Sequence, residues 1–191
     1  MKVSKMNKII YTVALAIITL SVQSQDLPTF TGSEILSENV NSEADEVKPV
    51  LNSDGTIMYL TRSRHKENAN YDERPQNQDI WETLKDEKGE WKMIEHETSI
   101  NDKWDNSIIG RGKSNHYFLL NTYQSSKNLD YGIAQTTKNG EHDWSKPEVI
   151  KVPKLKYDGN FYDFYITHDE SIMIISIKGE NSKGAEDLNF T

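Results

Sequence analysis

The sequence predicts an all-β fold, and three observations carry that prediction. After residue 24 no window sustains apolar residues at i, i+3, i+4 and i+7, the period of an amphipathic helix. Short runs rich in Ile, Tyr and Phe, such as IMYLT, HYFLL and IMIISI, recur instead between turns built from Gly, Asn and Asp. The chain also repeats: Trp91 and Trp144 lie 53 residues apart, Asp79 and Asp130 lie 51 apart, and Asp130 and Asp187 lie 57 apart. A period of this length with about four short strands per unit marks a β-propeller blade. The expected architecture is an incomplete β-propeller of about three four-stranded antiparallel blades, the last one cut short.

The elements follow in order. Residues 1–8 are basic, residues 9–20 (IIYTVALAIITL) are apolar to neutral, and Val22 and Ser24 supply the small residues that precede a cleavage point at Gln25. This is the pattern of a signal peptide. Its 12-residue core falls well short of the roughly 20 residues a membrane-spanning helix needs. Residues 25–44 read as a lead-in segment with room for one strand. The first unit, about residues 45–98, holds a strand at 47–51, the turn Asn52-Ser53-Asp54-Gly55, a strand at 57–61, a polar loop, a strand from Asp79 through Trp81, and a closing strand at Gly89-Glu90-Trp91. The second, about 99–152, runs Ser107-Ile108-Ile109, a turn at 110–115, HYFLL, a polar loop, Asp130 to Ala134, and a closing segment ending at Trp144. The third, about 153–191, runs 161–166, the turn Thr167-His168-Asp169-Glu170, 172–177, a polar loop, and Asp187 to Thr191.

Each unit's second strand is a near-continuous apolar run, as expected of a strand covered on both faces. Asp54 and Gly55 form a hairpin turn in which glycine supplies the positive φ. The acid that opens each third strand, Asp79, Asp130 or Asp187, is suited to accept amide bonds from the preceding loop. Trp81, Trp91 and Trp144 are suited to cover a unit's edge or to pack between units. Asp169 occupies the turn position of Asp54. These recurring positions are read as structural.

Composition narrows the function. The chain has 22 basic and 30 acidic residues, and without the three lysines of residues 1–24 the balance is 19 to 30. Nucleic acids and anionic lipid surfaces require a basic face, so neither is expected as a partner. Without cysteine there is no disulfide, no thiolate nucleophile, no Cys-bound zinc and no lipidated N-terminus. A signal peptide and no disulfides fit the periplasm or the periplasmic face of the outer membrane of a Gram-negative bacterium.

The combination NSDGTIMYLTRSR, a polar loop, DIWETLKDEKGEW and then Ile100-Asn101 resembles the WD40-like propeller repeats called PD40, which are related to the TolB propeller. The resemblance covers about residues 45–191 and is most specific in the first unit. It is closest to outer-membrane proteins of Bacteroidetes-type bacteria that carry a C-terminal OmpA-like peptidoglycan-binding domain. The chain departs from the repeat at Gly110-Arg-Gly-Lys-Ser-Asn115 and at Asp169-Glu170, where the family has a Ser-x-Asp-Gly turn. No OmpA-like domain lies within these residues, so no cell-wall contact is carried over. The resemblance implies part of a longer envelope protein whose partners are other envelope proteins. The cell wall or the membrane would be reached only through regions outside this chain.

Catalytic and metal patterns are weak. The five histidines (His65, His96, His116, His142, His168) show neither a His-x-His pair nor a helical pairing, and no metal or cofactor is expected. Asp72, Glu73 and Asp79 with Arg62, Arg64 and Arg74 make a charged loop without calcium-loop spacing. Residues 138–144 (KNGEHDW) are similar to the Asp-box turn of sialidases, yet they lack its Ser-x-Asp-x-Gly-x-x-Trp spacing, and the four arginines are confined to the first two units. No Gly-x-Ser-x-Gly elbow is present. The expected function is therefore a non-catalytic module for protein or ligand binding and scaffolding, with a glycan-active propeller as the alternative. Three units fill the mature length while closure needs at least four, so an open arc is expected.

Overall fold

A computed structural model describes residues 29–124, 129–152, 162–179, 181–184 and 186–190. The signal peptide lies outside the described residues, as do residues 25–28, the side chain of Asp130 and Thr191. The chain divides into two units, Met1–Ile35 and Leu36–Thr191. In the first, residues 29–35 have no regular structure and are exposed.

The second unit is all-β. Its strands are β1 (Asp45–Leu51), β2 (Ile57–Ser63), β3 (Gln78–Leu84), β4 (Glu95–His96), β5 (Asn106–Arg111), β6 (His116–Gln124), β7 (Leu129–Thr137), β8 (Glu148–Val149), β9 (Tyr162–Ile166), β10 (Met173–Ile177) and β11 (Asp187–Phe190). They form three antiparallel sheets in which sequence neighbours pair: β1-β2-β3-β4, β5-β6-β7-β8 and β9-β10-β11. No helix among the described residues is long and apolar enough to cross a membrane.

Strand alternation sends successive side chains to opposite faces. Both faces of the β2 and β6 runs are covered, which is why these strands read as unbroken apolar stretches. Tyr59, Ile80, Ile108, Tyr117 and Leu119 form the core between the first and second sheets. On the other face of β6, Phe118 joins Ile133, Phe164, Met173, Ile175 and Ile177 between the second and third sheets. The first strand of the second sheet, β5, packs against β1, β2 and β3, and β9 packs against β5 and β6. A 2.6 Å ion pair from Lys48 on β1 to Asp163 on β9 links the first and third sheets.

The lead-in segment contributes no strand among its described residues. It acts as a cap: Val40, 1% exposed, packs on Met58, Leu60, Trp81 and Ile94 over the outer face of the first sheet. The Ile94 amide donates to the Asn39 carbonyl, and Arg62 Nη2 donates to the Val40 carbonyl at 2.8 Å. A loop that meets a sheet face through side chains and two such bonds has no need of ladder pairing.

The closing strands also fall elsewhere than the sequence suggests. Trp91 and Trp144 make only isolated bridges, to Lys85 and Lys138, and the paired strands β4 and β8 begin four residues later. The tight loops between bridge partners explain the offset. The Asp86 amide donates to the Glu90 carbonyl, the Asn139 amide donates to the Asp143 carbonyl, and Gly89 takes φ +84°. The chain must then straighten before its ladder resumes.

Residues 80–97 and 133–150 share pairings in register at an offset of 53. Trp81 faces His96 as Ala134 faces Val149. The Glu97 amide donates to the Ile80 carbonyl as the Ile150 amide donates to that of Ile133. Thr83 and Thr136 each donate a side-chain bond to the carbonyl after the tryptophan, Lys92 and Ser145 respectively.

Candidate functional site

A cluster of buried charged side chains lies between the first and second sheets. Glu82 projects from β3, Glu97 follows β4, and Lys138 ends the ladder of β7; all three are buried. Lys138 Nζ lies 2.6 Å from Glu82 Oε2 and 3.9 Å from Glu97 Oε2, and His142 Nδ1 lies 3.4 Å from Glu97 Oε2. The other oxygen of Glu97 accepts from the amide and hydroxyl of Ser99. Burial works to raise the Glu97 pKa, but the bonds from Ser99 and its neighbours outweigh it and hold the group below the usual range.

Two rings of an aromatic trio lie against the lysine. Tyr59, Tyr117 and Trp144 meet edge to face with centroids 5.1–5.5 Å apart. Lys138 Nζ lies 4.5 Å from the Trp144 ring centre and 5.1 Å from that of Tyr59, well within cation–π reach. Burial, reinforced by the Glu82 charge, pushes the Tyr59 phenol far above its ordinary range. The buried Tyr59 hydroxyl faces Glu82 and Tyr117, and the Trp144 indole faces Glu97. A cleft of about 310 Å³ opens beside this cluster, with Asn52, Asn115, Asn139 and Glu141 at its rim and Tyr59, Tyr117 and Lys138 lining its wall.

Glu82, Glu97 and His142 are the described residues that could hold a metal ion, with ligand atoms within 4.8 Å of one another. The Lys138 ammonium already bonds Glu82 at 2.6 Å, so a metal drawing on Glu82 would compete with a bonded lysine. As it stands, the arrangement carries two carboxylates and one ammonium.

The repeat positions singled out from the sequence lie elsewhere. Asp54 accepts from the Thr56 amide and hydroxyl, and Gly55 takes φ +73°. In the matching turn of the third sheet Asp169 accepts from Thr167 and Ser171, bonds that lower its pKa to about 2, while Glu170 takes the glycine position at φ +61°. The Glu170 carboxylate accepts the Lys113 amide at 2.6 Å and meets His116 at 3.1 Å. A Cβ on Gly112 would collide with that carboxylate and the Phe118 ring.

Asp79 and Asp187 both accept amides of the loop before their strand, from Ala69 and from Lys183. Asp79 is fully buried and also meets His96 at 2.6 Å. Trp81 is buried against the lead-in cap, with Arg62 stacked 4.4 Å from its ring centre and its Nε1 donating to Asn68. Trp91 packs on the edge of the same cluster under Lys85. Asp130 lies on β7 opposite Tyr123. The arginines of the charged loop pair with acids outside it, Arg62 with Glu46, Arg64 with Asp45 and Arg74 with Asp105, while Asp72 and Glu73 are exposed.

Of the predicted positions only Trp144 belongs to the buried cluster. Lys138 and His142 fall in the stretch compared with an Asp-box turn, whereas Glu82, Glu97, Tyr59 and Tyr117 carry no such mark; one further signal for the lysine is that Lys85 and Lys138 are 53 residues apart, each six before a tryptophan. Both stack on that ring, but Lys85 is exposed while Lys138 is buried by the neighbouring sheet. Compared with protein-family models, curated proteins and solved structures, the chain matches none.

Proposed function

We propose that the chain is an exported, propeller-type module that binds or scaffolds other envelope proteins at the periplasmic side of the outer membrane, without catalysis. The observation that carries the propeller reading is the 53-residue correspondence of residues 80–97 and 133–150, bond for bond, in sheets of the same strand order. The mutual approach of β1, β5 and β9, the first strand of each sheet, supports an arrangement of sheets about a common axis. The non-catalytic reading is supported by the commitment of the buried acids: Glu82 to Lys138, and Glu97 to Ser99 and His142.

One observation favours the glycan-active alternative. The Glu82 and Glu97 oxygens lie within 4.8 Å of each other, near the separation of about 5–5.5 Å at which paired carboxylates hydrolyse glycosides with retention.

The test expresses the full chain in a Gram-negative host. The expected result is a periplasmic or outer-membrane-associated species beginning near Gln25, photo-crosslinking from Tyr165 or Leu188 to discrete envelope proteins, and no turnover of aryl glycosides. Turnover abolished by Glu82→Gln or Glu97→Gln would replace this reading with the glycosidase, and a cytoplasmic species retaining residues 1–24 would remove the envelope from it.

A further inference from the structure

The strand residues that the first sheet gives to its junction with the second are Val50 on β1, Ile57 and Tyr59 on β2, and Ile80 on β3. Each has an apolar counterpart in the third sheet. The turn aspartates Asp54 and Asp169 lie 115 residues apart, and the same offset matches Ile57 with Ile172 and Tyr59 with Ile174. The ladders carry the match across: Val50 pairs with Tyr59 as Tyr165 pairs with Ile174, and Ile80 pairs with Thr61 as Leu188 pairs with Ser176. In the second sheet Phe118 and Ile133 hold two of these places, and both are buried against the third. The third sheet alone leaves them open. Tyr59 and Ile80 are fully buried, whereas Ile174 is 37% exposed, Ile172 47%, Tyr165 58% and Leu188 77%.

A face that repeats the apolar places of two sheet-receiving faces is fitted to receive a sheet in its turn. The opposite faces of the three sheets are already occupied. Met58, Leu60 and Trp81 of the first lie under Val40, and those of the second and third pack on the preceding sheet. A second copy of the chain therefore has no such face to offer in head-to-tail fashion; what it can offer is this same open face. Charge does not oppose that pairing. Among the described strand positions on the face the one charged side chain is Asp163, and Lys48 holds it at 2.6 Å.

We infer that the open face of the third sheet packs against the same face of a second copy of this chain, forming a closed two-fold dimer with Tyr165, Ile174 and Leu188 in the contact. Each copy uses up its face, so association stops at two. A patch of four side chains is at the low end of specific interfaces, which makes the dimer dependent on concentration. The inference rests on the packing of the sheets and does not depend on where the chain resides.

The experiment follows the purified mature chain by analytical ultracentrifugation across about two decades of concentration. The expected result is a monomer–dimer equilibrium with no larger species. Leu188→Lys, at a position exposed enough to spare the fold, should weaken dimerisation about tenfold or more, and Tyr165→Lys on another strand should do the same. Met93→Lys, which makes the same change at a residue 63% exposed on the first sheet, should leave it unaltered. A photo-crosslinking side chain at Leu188 should link the purified chain to itself. A chain that stays monomeric throughout, one that grows beyond the dimer, or one that Met93→Lys weakens equally would overturn the assignment. A monomeric chain whose Leu188 links to a different envelope protein in cells would also overturn it, while leaving the scaffolding reading intact.

Discussion

The junction between the first and second sheets and that between the second and third have opposite chemistry. Between the first and second sheets, Lys138 bonds Glu82, Thr61 and Ser107 share a buried hydrogen bond at 2.8 Å, and three aromatic rings meet edge to face. Between the second and third, Phe118, Ile133, Phe164, Met173 and Ile175 pack as an aliphatic and phenyl layer, with Glu170 reaching across only at the turn. β6 serves both, giving Tyr117 and Leu119 to one and Phe118 to the other. The same strand order therefore leaves each face free to specialise, and a cleft opens beside both junctions, about 310 Å³ at the polar one and about 260 Å³ at the apolar one.

The contrast can be broken at its apolar end first. Phe118→Ala should cost about 3–5 kcal/mol through lost burial and a cavity, and the loss should be insensitive to salt when denaturant midpoints are compared. At the polar end, Lys138→Met should cost about 3 kcal/mol because two carboxylates are left buried without their cation. Adding Glu82→Leu should recover part of that loss, and a double-mutant cycle measures the coupling. If the single and double variants are equally destabilised, the pair contributes packing alone and the contrast between junctions disappears.

Smaller effects sharpen it. Asp79→Ala should lower stability by about 1–2 kcal/mol, and Asp54→Ala, at an exposed turn, should lower it by less, since each removes a carboxylate that organises a loop or turn. Ligand or partner binding should survive in both; unchanged stability with lost binding would reassign these residues to a site. Gly55→Ala should cost about 1 kcal/mol, because φ +73° is unfavourable for any side chain. Glu170→Gly should fall near neutral, with relief of the same strain offset by loss of the bonds to Lys113 and His116.

The smallest effect is a titration. Asp169 should protonate near pH 2, below its ordinary 3.8, because Thr167 and Ser171 donate to its carboxylate. A depressed carboxyl stabilises the folded state above the unfolded pKa, and that contribution fades as pH falls through the folded one. Asp169→Asn should therefore reduce the fall in stability between about pH 4 and 2, and carbon-detected NMR of the carboxyl reads the pKa directly.

Much of the strand layout was legible because it rests on local chemistry. Asp-Gly at 54–55 sets a turn whatever surrounds it, and Ile172 to Ile177 reads as a strand from its run of apolar residues, but the expectation that both its faces are covered fails, since β10 buries Met173, Ile175 and Ile177 while Ile172 and Ile174 are exposed. The closing strands were less legible: a tryptophan after a glycine looks like the end of a strand, whereas the tight loops before Trp91 and Trp144 limit each to one bridge and move the ladder to residues 95–96 and 148–149. The capping role of Val40 was hidden because a lone apolar residue in a polar segment has no period to read.

The sequence by itself determined the β character, the turns and the spacing at which strands recur, since hydrophobic alternation and positive-φ preferences act over a few residues. Only the tertiary structure decided which members of a repeat carry charge into the interior. Lys85 and Lys138 occupy the same place before a tryptophan and stack on it alike. One is exposed; the other is buried between sheets against Glu82, 56 positions away in the chain. That difference arises from which surface lies opposite, a long-range relation that no local pattern encodes.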